Sequence, residues 1–103
     1  MKLNNIVKQA RQMQSQMLKI QEQLANEQVE ASVGGGMVKA TFTGQGDLVA
    51  IQIDPEVIHP DDKEMLEDLV ISAVNEGLKK SRDLMTERMG GFTGALGSMG
   101  LGL

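Results

Sequence analysis

Apolar residues at the start of the chain recur at alternating intervals of three and four. Leu3, Ile6, Ala10, Met13, Met17, Ile20 and Leu24 fall on one stripe of a helix, and no Gly or Pro interrupts it. The spacing predicts a helix of about 22–24 residues, roughly 35 Å long. Gln9, Gln16 and Gln23 line one flank of the stripe, and Lys8, Arg11 and Lys19 point away from it. The stripe is a candidate core or dimer seam. Met13 and Met17 within it are flexible fillers that specify a single geometry poorly.

The period then changes to two. Val29, Ala31 and Val33 alternate with Glu30 and Ser32; Val38, Ala40 and Phe42 alternate with Lys39, Thr41 and Thr43; Val49, Ile51 and Ile53 alternate with Ala50, Gln52 and Asp54. "GGG" at Gly34–Gly36 and "GQGD" at Gly44–Asp47 separate the three runs. Alternation joined by short Gly loops predicts a three-stranded antiparallel meander with one buried face. Asp54-Pro55 and His59-Pro60 stop the sheet. Asp61 followed by Glu64 predicts a capping-box-like start for a second helix running to about Met89. Leu66, Leu69, Val70, Ala73, Val74, Gly77, Leu84 and Met85 give that helix a broad apolar face.

The pattern therefore predicts an α+β chain ordered long helix, meander, long helix over residues 1–89. A Gly-rich, flexible tail is expected over residues 90–103, where six of fourteen residues are Gly. A strand of about seven residues spans roughly 23 Å, less than either helix. Each helix should overhang the sheet and pair with something beyond it, the first covering the sheet with its C-terminal half. The first helix runs towards the sheet and the second away, so their free ends should lie on the same side.

Charge sharpens this picture. The net charge is −4, but it is unevenly placed. Residues 1–20 hold Lys2, Lys8, Arg11 and Lys19 and no acid. Residues 21–78 hold two basic residues against twelve acids. Residues 79–103 hold Lys79, Lys80, Arg82 and Arg88 against Asp83 and Glu87. On the second helix the cations have local explanations: Glu76 with Lys80 and Lys79 with Asp83 are i,i+4 pairs, and Arg82 and Arg88 suit a helix C-terminus. On the first helix they have none, because cations near an N-terminus oppose the helix dipole. Those charges call for an external anion.

Other chemistry is poorly supported. His59 is the only histidine, and there is no cysteine for a thiolate metal site or a nucleophile. The acids Asp61, Asp62, Glu64, Glu67 and Asp68 read as a solvated first turn and face rather than a cation site. Neither glycine run is followed by the residues of a phosphate-binding loop. The only aromatics are Phe42 and Phe92, which disfavours base stacking on single strands. No apolar run is long enough to span a membrane, and there is no signal-peptide pattern. A soluble, cytoplasmic, non-enzymatic protein without cofactor, metal or small-molecule substrate is expected.

"KQARQMQSQMLKIQEQL", the Gly-rich hairpins, "IDPEVI" and above all "DDKEMLEDLVISAVNEGLKKSRDLMTERMGGFTG" resemble the YbaB/EbfC family of bacterial nucleoid-associated proteins. The resemblance covers essentially the whole chain. It implies a tweezer-like α/β homodimer that binds DNA in the bacterial cytoplasm and nucleoid, with no enzyme activity and no cofactor. The chain departs from the family pattern in lacking a Gly-rich lead and in Gly77, where Ala is more usual. Gly77 should weaken the second helix by about 1 kcal/mol relative to Ala, or permit a closer contact. The charge argument, not the resemblance, proposes Lys2, Lys8, Arg11, Lys19, Lys79, Lys80, Arg82 and Arg88 as contacts to duplex DNA phosphates, with low sequence specificity. The alternative is a protein-binding or chaperone-like module that uses the Met-bearing seam.

Overall fold

The structure is a computed structural model that describes residues 2–98, with side chains described as far as residue 90. Its elements are α1 (Lys2–Asn26), β1 (Gln28–Val33), β2 (Val38–Thr43), β3 (Leu48–Ile53) and α2 (Lys63–Ser98). Short 3-10 turns occupy Gly34–Gly36, Pro55–Val57 and Pro60–Asp62. The three strands form one antiparallel sheet in the order β1-β2-β3. Helix, meander, helix is thus the observed order.

The core lies between the sheet and the first half of α2. Val38, Ala40 and Phe42 point from the central strand onto Ala73, with Val29, Val33, Ile53, Leu66, Leu69, Val70, Val74 and Leu78 packed around them. Gly77 is the point of closest approach. A Cβ there would sit 2.6 Å from the Phe42 ring, so only a glycine lets helix and sheet meet at this distance. Of the two readings of Gly77, the closer contact is the one observed. The opposite face of β2 carries Lys39, Thr41 and Thr43, which is the alternation the sequence showed.

Three expectations need correction. First, β3 begins at Leu48, and Leu48 rather than Val49 pairs with Phe42; the register shifts between Thr41 and Phe42, leaving Val49 as the extra residue of a β-bulge. A bulge breaks strict alternation, so the apolar run Leu48–Val49 cannot all face α2. Second, α1 does not lie across the sheet. Only Leu24 of α1 is buried. Gly44 at the end of β2 donates its N–H to the Leu24 carbonyl at 2.9 Å and to the Glu27 carbonyl at 3.0 Å. Gln45 Nε2 donates to the Gln21 carbonyl at 3.0 Å. α2 already fills the one apolar face of the sheet, so α1 meets the sheet only at its rim and packs on the overhang of α2.

Third, the turn before α2 is capped by His59, not Asp61. His59 Nδ1 accepts from the Asp61 N–H at 3.2 Å, with Pro60 at the first position of the turn. Pro has no N–H to satisfy, so the residue before it is well placed to cap. Asp61 itself lies inside that turn, and α2 starts at Lys63. α2 also continues past Met89 to Ser98, so the Gly-rich tail expected from residue 90 falls partly on α2 and partly outside the described residues. The molecule is elongated, 71 × 24 × 16 Å. Among the described residues no helix is long and apolar enough to cross a membrane.

Candidate nucleic-acid interface

α1 is a cantilever fixed at its C-terminal end. Besides the Gly44 and Gln45 contacts, Arg88 of α2 holds Glu27, just beyond α1, in a two-pronged ion pair, with Nε to Oε2 at 3.0 Å. Met17, Gln21 and Leu24 of α1 and Met85 and Met89 of α2 line a shared cavity of about 300 Å³, with Gln45 at its edge. Leu24 and Ser81 both meet the Thr43–Gly44 end of β2, Ser81 donating its hydroxyl to the Thr43 carbonyl at 2.7 Å. From that point the two helices leave the sheet antiparallel, on the same side, as the connectivity predicts.

The predicted seam divides at this junction. Leu24 is buried, and Met13, Met17 and Ile20 are half-buried. Ile6 and Ala10 are exposed. The seam is therefore in part a contact within one chain.

The predicted basic contacts divide too. Lys2, Lys8, Arg11 and Lys19 are all exposed, and none is in an ion pair among the described residues. Lys8 and Lys19 lie about three turns apart, roughly 16 Å, on the side of α1 away from the apolar stripe. No acid lies in the first turn of α1. Lys79 and Arg82 are exposed and equally unpaired among the described residues. Lys80 is exposed but donates through Nζ to the Glu30 carbonyl of β1 at 2.9 Å. The i,i+4 partners Glu76 and Asp83 hold neither Lys80 nor Lys79. Arg88 is half-buried and engaged with Glu27 and Glu87.

The two basic regions do not converge at one tip. Lys79, Lys80 and Arg82 sit at the base of the overhang beside Ser81, because α2 runs on well beyond them. Arg11 stands about 20 Å further along α1, counting from Leu24. The hydrogen bonds from Arg88, and its positive charge, hold the Glu27 carboxyl below the usual carboxylate range, and Glu27 raises Arg88 in turn. Arg88 is thus a strut between helices. Charge counting placed it among the contacts because Glu27 is distant in sequence, and no local pattern marks the pair.

No cluster of His, Asp and Glu among the described residues is arranged to hold a metal ion. The fold and the charge placement define a small α+β protein with a projecting basic helix. The family model described as the YbaB/EbfC DNA-binding family matches residues 1–96, and the chain belongs to that family. It is 48% identical over 99 residues to a nucleoid-associated protein of Thermoanaerobacter sp. (strain X514), covering 96% of this chain and 89% of the relative. A nucleoid-associated protein of Pelotomaculum thermopropionicum is 44% identical, over 96% of this chain and 94% of its own length. The crystal structure of an uncharacterized protein from Helicobacter pylori superposes with a TM-score of 0.81 at 26% identity, covering 90% of this chain and 98% of that one.

Proposed function

We propose that this chain is a non-enzymatic nucleoid protein of the bacterial cytoplasm that binds duplex DNA as a homodimer with low sequence specificity. The observation that carries the reading is the free basic face of α1. Lys8, Arg11 and Lys19 are exposed and unpaired among the described residues, on an element that projects from the body. Lys2, Lys79 and Arg82 extend the candidate set, and Lys80 joins it through its outward position. Arg88 leaves it, being held by Glu27. Point charges of this kind favour phosphates over base edges, so affinity should depend strongly on salt and weakly on sequence. Membership of a DNA-binding family and the nucleoid-associated names of the relatives support the same partner.

The dimer reading rests on a different surface. β3 has one edge without a strand partner among the described residues, and Leu48, Val49 and Ile51 on it are exposed, Val49 by 50%. Beside them Ile53, Leu66, Val70 and Ile71 line a shallow apolar hollow of about 470 Å³. An open apolar edge strand invites pairing with another chain. A second copy of this protein, placing the same surface against it about a two-fold axis, satisfies both the edge and the hollow. The chaperone-like alternative is less well supported, because Met17 faces Met85 and Met89 across a cavity within the chain.

The decisive experiment is duplex binding across salt by Lys8→Gln with Lys19→Gln, after sedimentation has fixed the oligomeric state. The slope of log affinity against log salt should flatten by about 2 per protomer. An unchanged slope and affinity would remove these lysines from the interface.

A further inference from the structure

The N-terminal half of α1 leaves its apolar stripe uncovered among the described residues. Leu3 is 70% and Ile6 61% exposed, and Val7 beside them is also exposed. An amphipathic helix with its apolar side open is a face that lacks its partner. The partner of the other half of the stripe is α2. Leu24 and Met17 share a cavity with Met85 and Met89, and the two helices run antiparallel from there.

The sequence continues that pairing. From Met85 onwards the large apolar residues are Met85, Met89, Phe92, Leu96, Met99 and Leu103, spaced alternately by four and three. This is the same seven-residue rhythm as Ile6, Ala10, Met13, Met17, Ile20 and Leu24, read in the opposite direction. With Leu24 opposite Met85, Ile20 falls opposite Met89, Met17 opposite Phe92 and Met13 opposite Leu96. Ala10 then falls opposite Met99, and Ile6 opposite Leu103. Two matched rhythms of this kind are what an antiparallel two-helix seam requires. The α2 backbone is helical to Ser98 although Gly90, Gly91, Gly94 and Gly97 lie within its last turns. Glycine is a poor helix former, so helix over this stretch needs tertiary support.

We propose that residues 92–103, carrying Phe92, Leu96, Met99 and Leu103, dock in cis on the α1 stripe at Ile6, Ala10, Met13 and Met17. Each prong is then a closed two-helix hairpin, not a bare helix. The Gly-rich composition allows close approach of the two backbones, and the four apolar residues specify the register. Lys8 and Lys19 lie on the other side of α1, so docking leaves the basic face open. The inference stands apart from the DNA reading and is tested without DNA.

The absence of native cysteine makes a disulfide test clean. Ala10→Cys with Met99→Cys places two thiols in the proposed layer, where their Cα separation suits a disulfide; Lys8→Cys with Met99→Cys places one on the far side of α1. Under mild oxidation the in-phase pair should form an intrachain bond at least about tenfold faster than the out-of-phase pair. The bond is read as a monomer band of altered mobility without reductant. Equal rates for the two pairs, or no bond from either, would overturn the docking. A bond from the in-phase pair that links two chains would also overturn it, and would assign the stripe to a second copy. Hydrogen exchange of α1 gives an independent readout: Leu96→Asp should raise exchange at residues 6–13 and spare residues 21–26, whereas unchanged exchange at residues 6–13 counts against the proposal.

Discussion

Arg88 grips Glu27 through two guanidinium–carboxylate hydrogen bonds, joining the overhang of α2 to the residue that follows α1. The two residues are 61 positions apart, and their side chains are half-buried. The pair closes the base of the prong on the side opposite the Gly44 contacts. A residue that would otherwise offer charge to DNA is thereby committed to structure. Arg88→Gln should lower the melting temperature while leaving duplex affinity within about twofold, since surface pairs of this type are worth little beyond local order. Parallel melts and salt titrations of Arg88→Gln and Lys8→Gln check this. A large loss of affinity in Arg88→Gln alone, with its fold intact, would return Arg88 to the interface.

The same pair makes a pH prediction with a definite sign. Hydrogen bonds from Arg88 hold Glu27 below the ordinary carboxylate range, and Arg88 stays cationic throughout. A carboxylate depressed in the folded state stabilises it above the unfolded value. That contribution fades as pH falls through the folded value. Wild type should therefore melt above Glu27→Gln at neutral pH, and the gap should close as the solution is acidified through the carboxylate range. Melting curves of both proteins over that range decide it. A gap that persists in acid would mean that the ion pair is not its source.

Gly77→Ala sets two effects against each other. Alanine gains about 1 kcal/mol of helix propensity. Its Cβ would stand 2.6 Å from the buried Phe42 ring, so helix or ring must move. Overpacking of a filled core costs about 1–3 kcal/mol, so the net change should be zero to moderately destabilising. Gly77→Ala with Phe42→Leu should recover part of any loss. Urea unfolding of the two variants measures both, and a clear stabilisation in Gly77→Ala would show that the contact yields easily.

What the sequence exposes and hides follows from the range over which each interaction acts. The α1 stripe and the alternation of β2 were legible because helix and strand periods are local. The Val49 bulge was not, since Leu48, Val49 and Ile51 are all apolar and only pairing with Thr41 and Phe42 shows which residue is extra. The role of α1 was half legible. Its length predicted an overhang, but that α2 alone covers the sheet depends on Gly77 allowing it close to Phe42. In the candidate interface, Lys8, Arg11 and Lys19 were found by the lack of nearby acids, which is a local property. Arg88 and Lys80 were misjudged for the opposite reason: Glu27 and the Glu30 carbonyl reach them across the fold.

Ser81→Ala tests the joint between α2 and the sheet. Ser81 is fully buried, and its hydroxyl donates to the Thr43 carbonyl at 2.7 Å. Thr43 also ends β2 and accepts through its own hydroxyl from the N–H groups of Gln45 and Asp47, so one residue organises the turn beside Leu24. Removing the Ser81 hydroxyl leaves that carbonyl without its side-chain donor, at a cost of about 1–2 kcal/mol. Exchange of amides at residues 43–47 should rise with it. A loss of stability without faster exchange in the turn would place the effect in helix packing.

The proposed dimer predicts opposite outcomes for two apolar-to-acid changes. Ile71 is 58% exposed and borders the hollow between α2 and β3. Leu18 is also exposed but lies on α1, away from that surface. In a monomer both side chains face water, so replacing either with Asp would alter stability little. In a dimer built on β3 and the adjacent flank of α2, Ile71→Asp buries an unpaired carboxylate, whereas Leu18→Asp does not. Unpaired buried charge is strongly unfavourable, so Ile71→Asp should shift sedimentation to the monomer and Leu18→Asp should not. The monomer should also lose steepness in the salt dependence of duplex binding, because it presents half as many lysines to one stretch of DNA. Dimers that persist in Ile71→Asp would exclude this face and move the interface to the prongs.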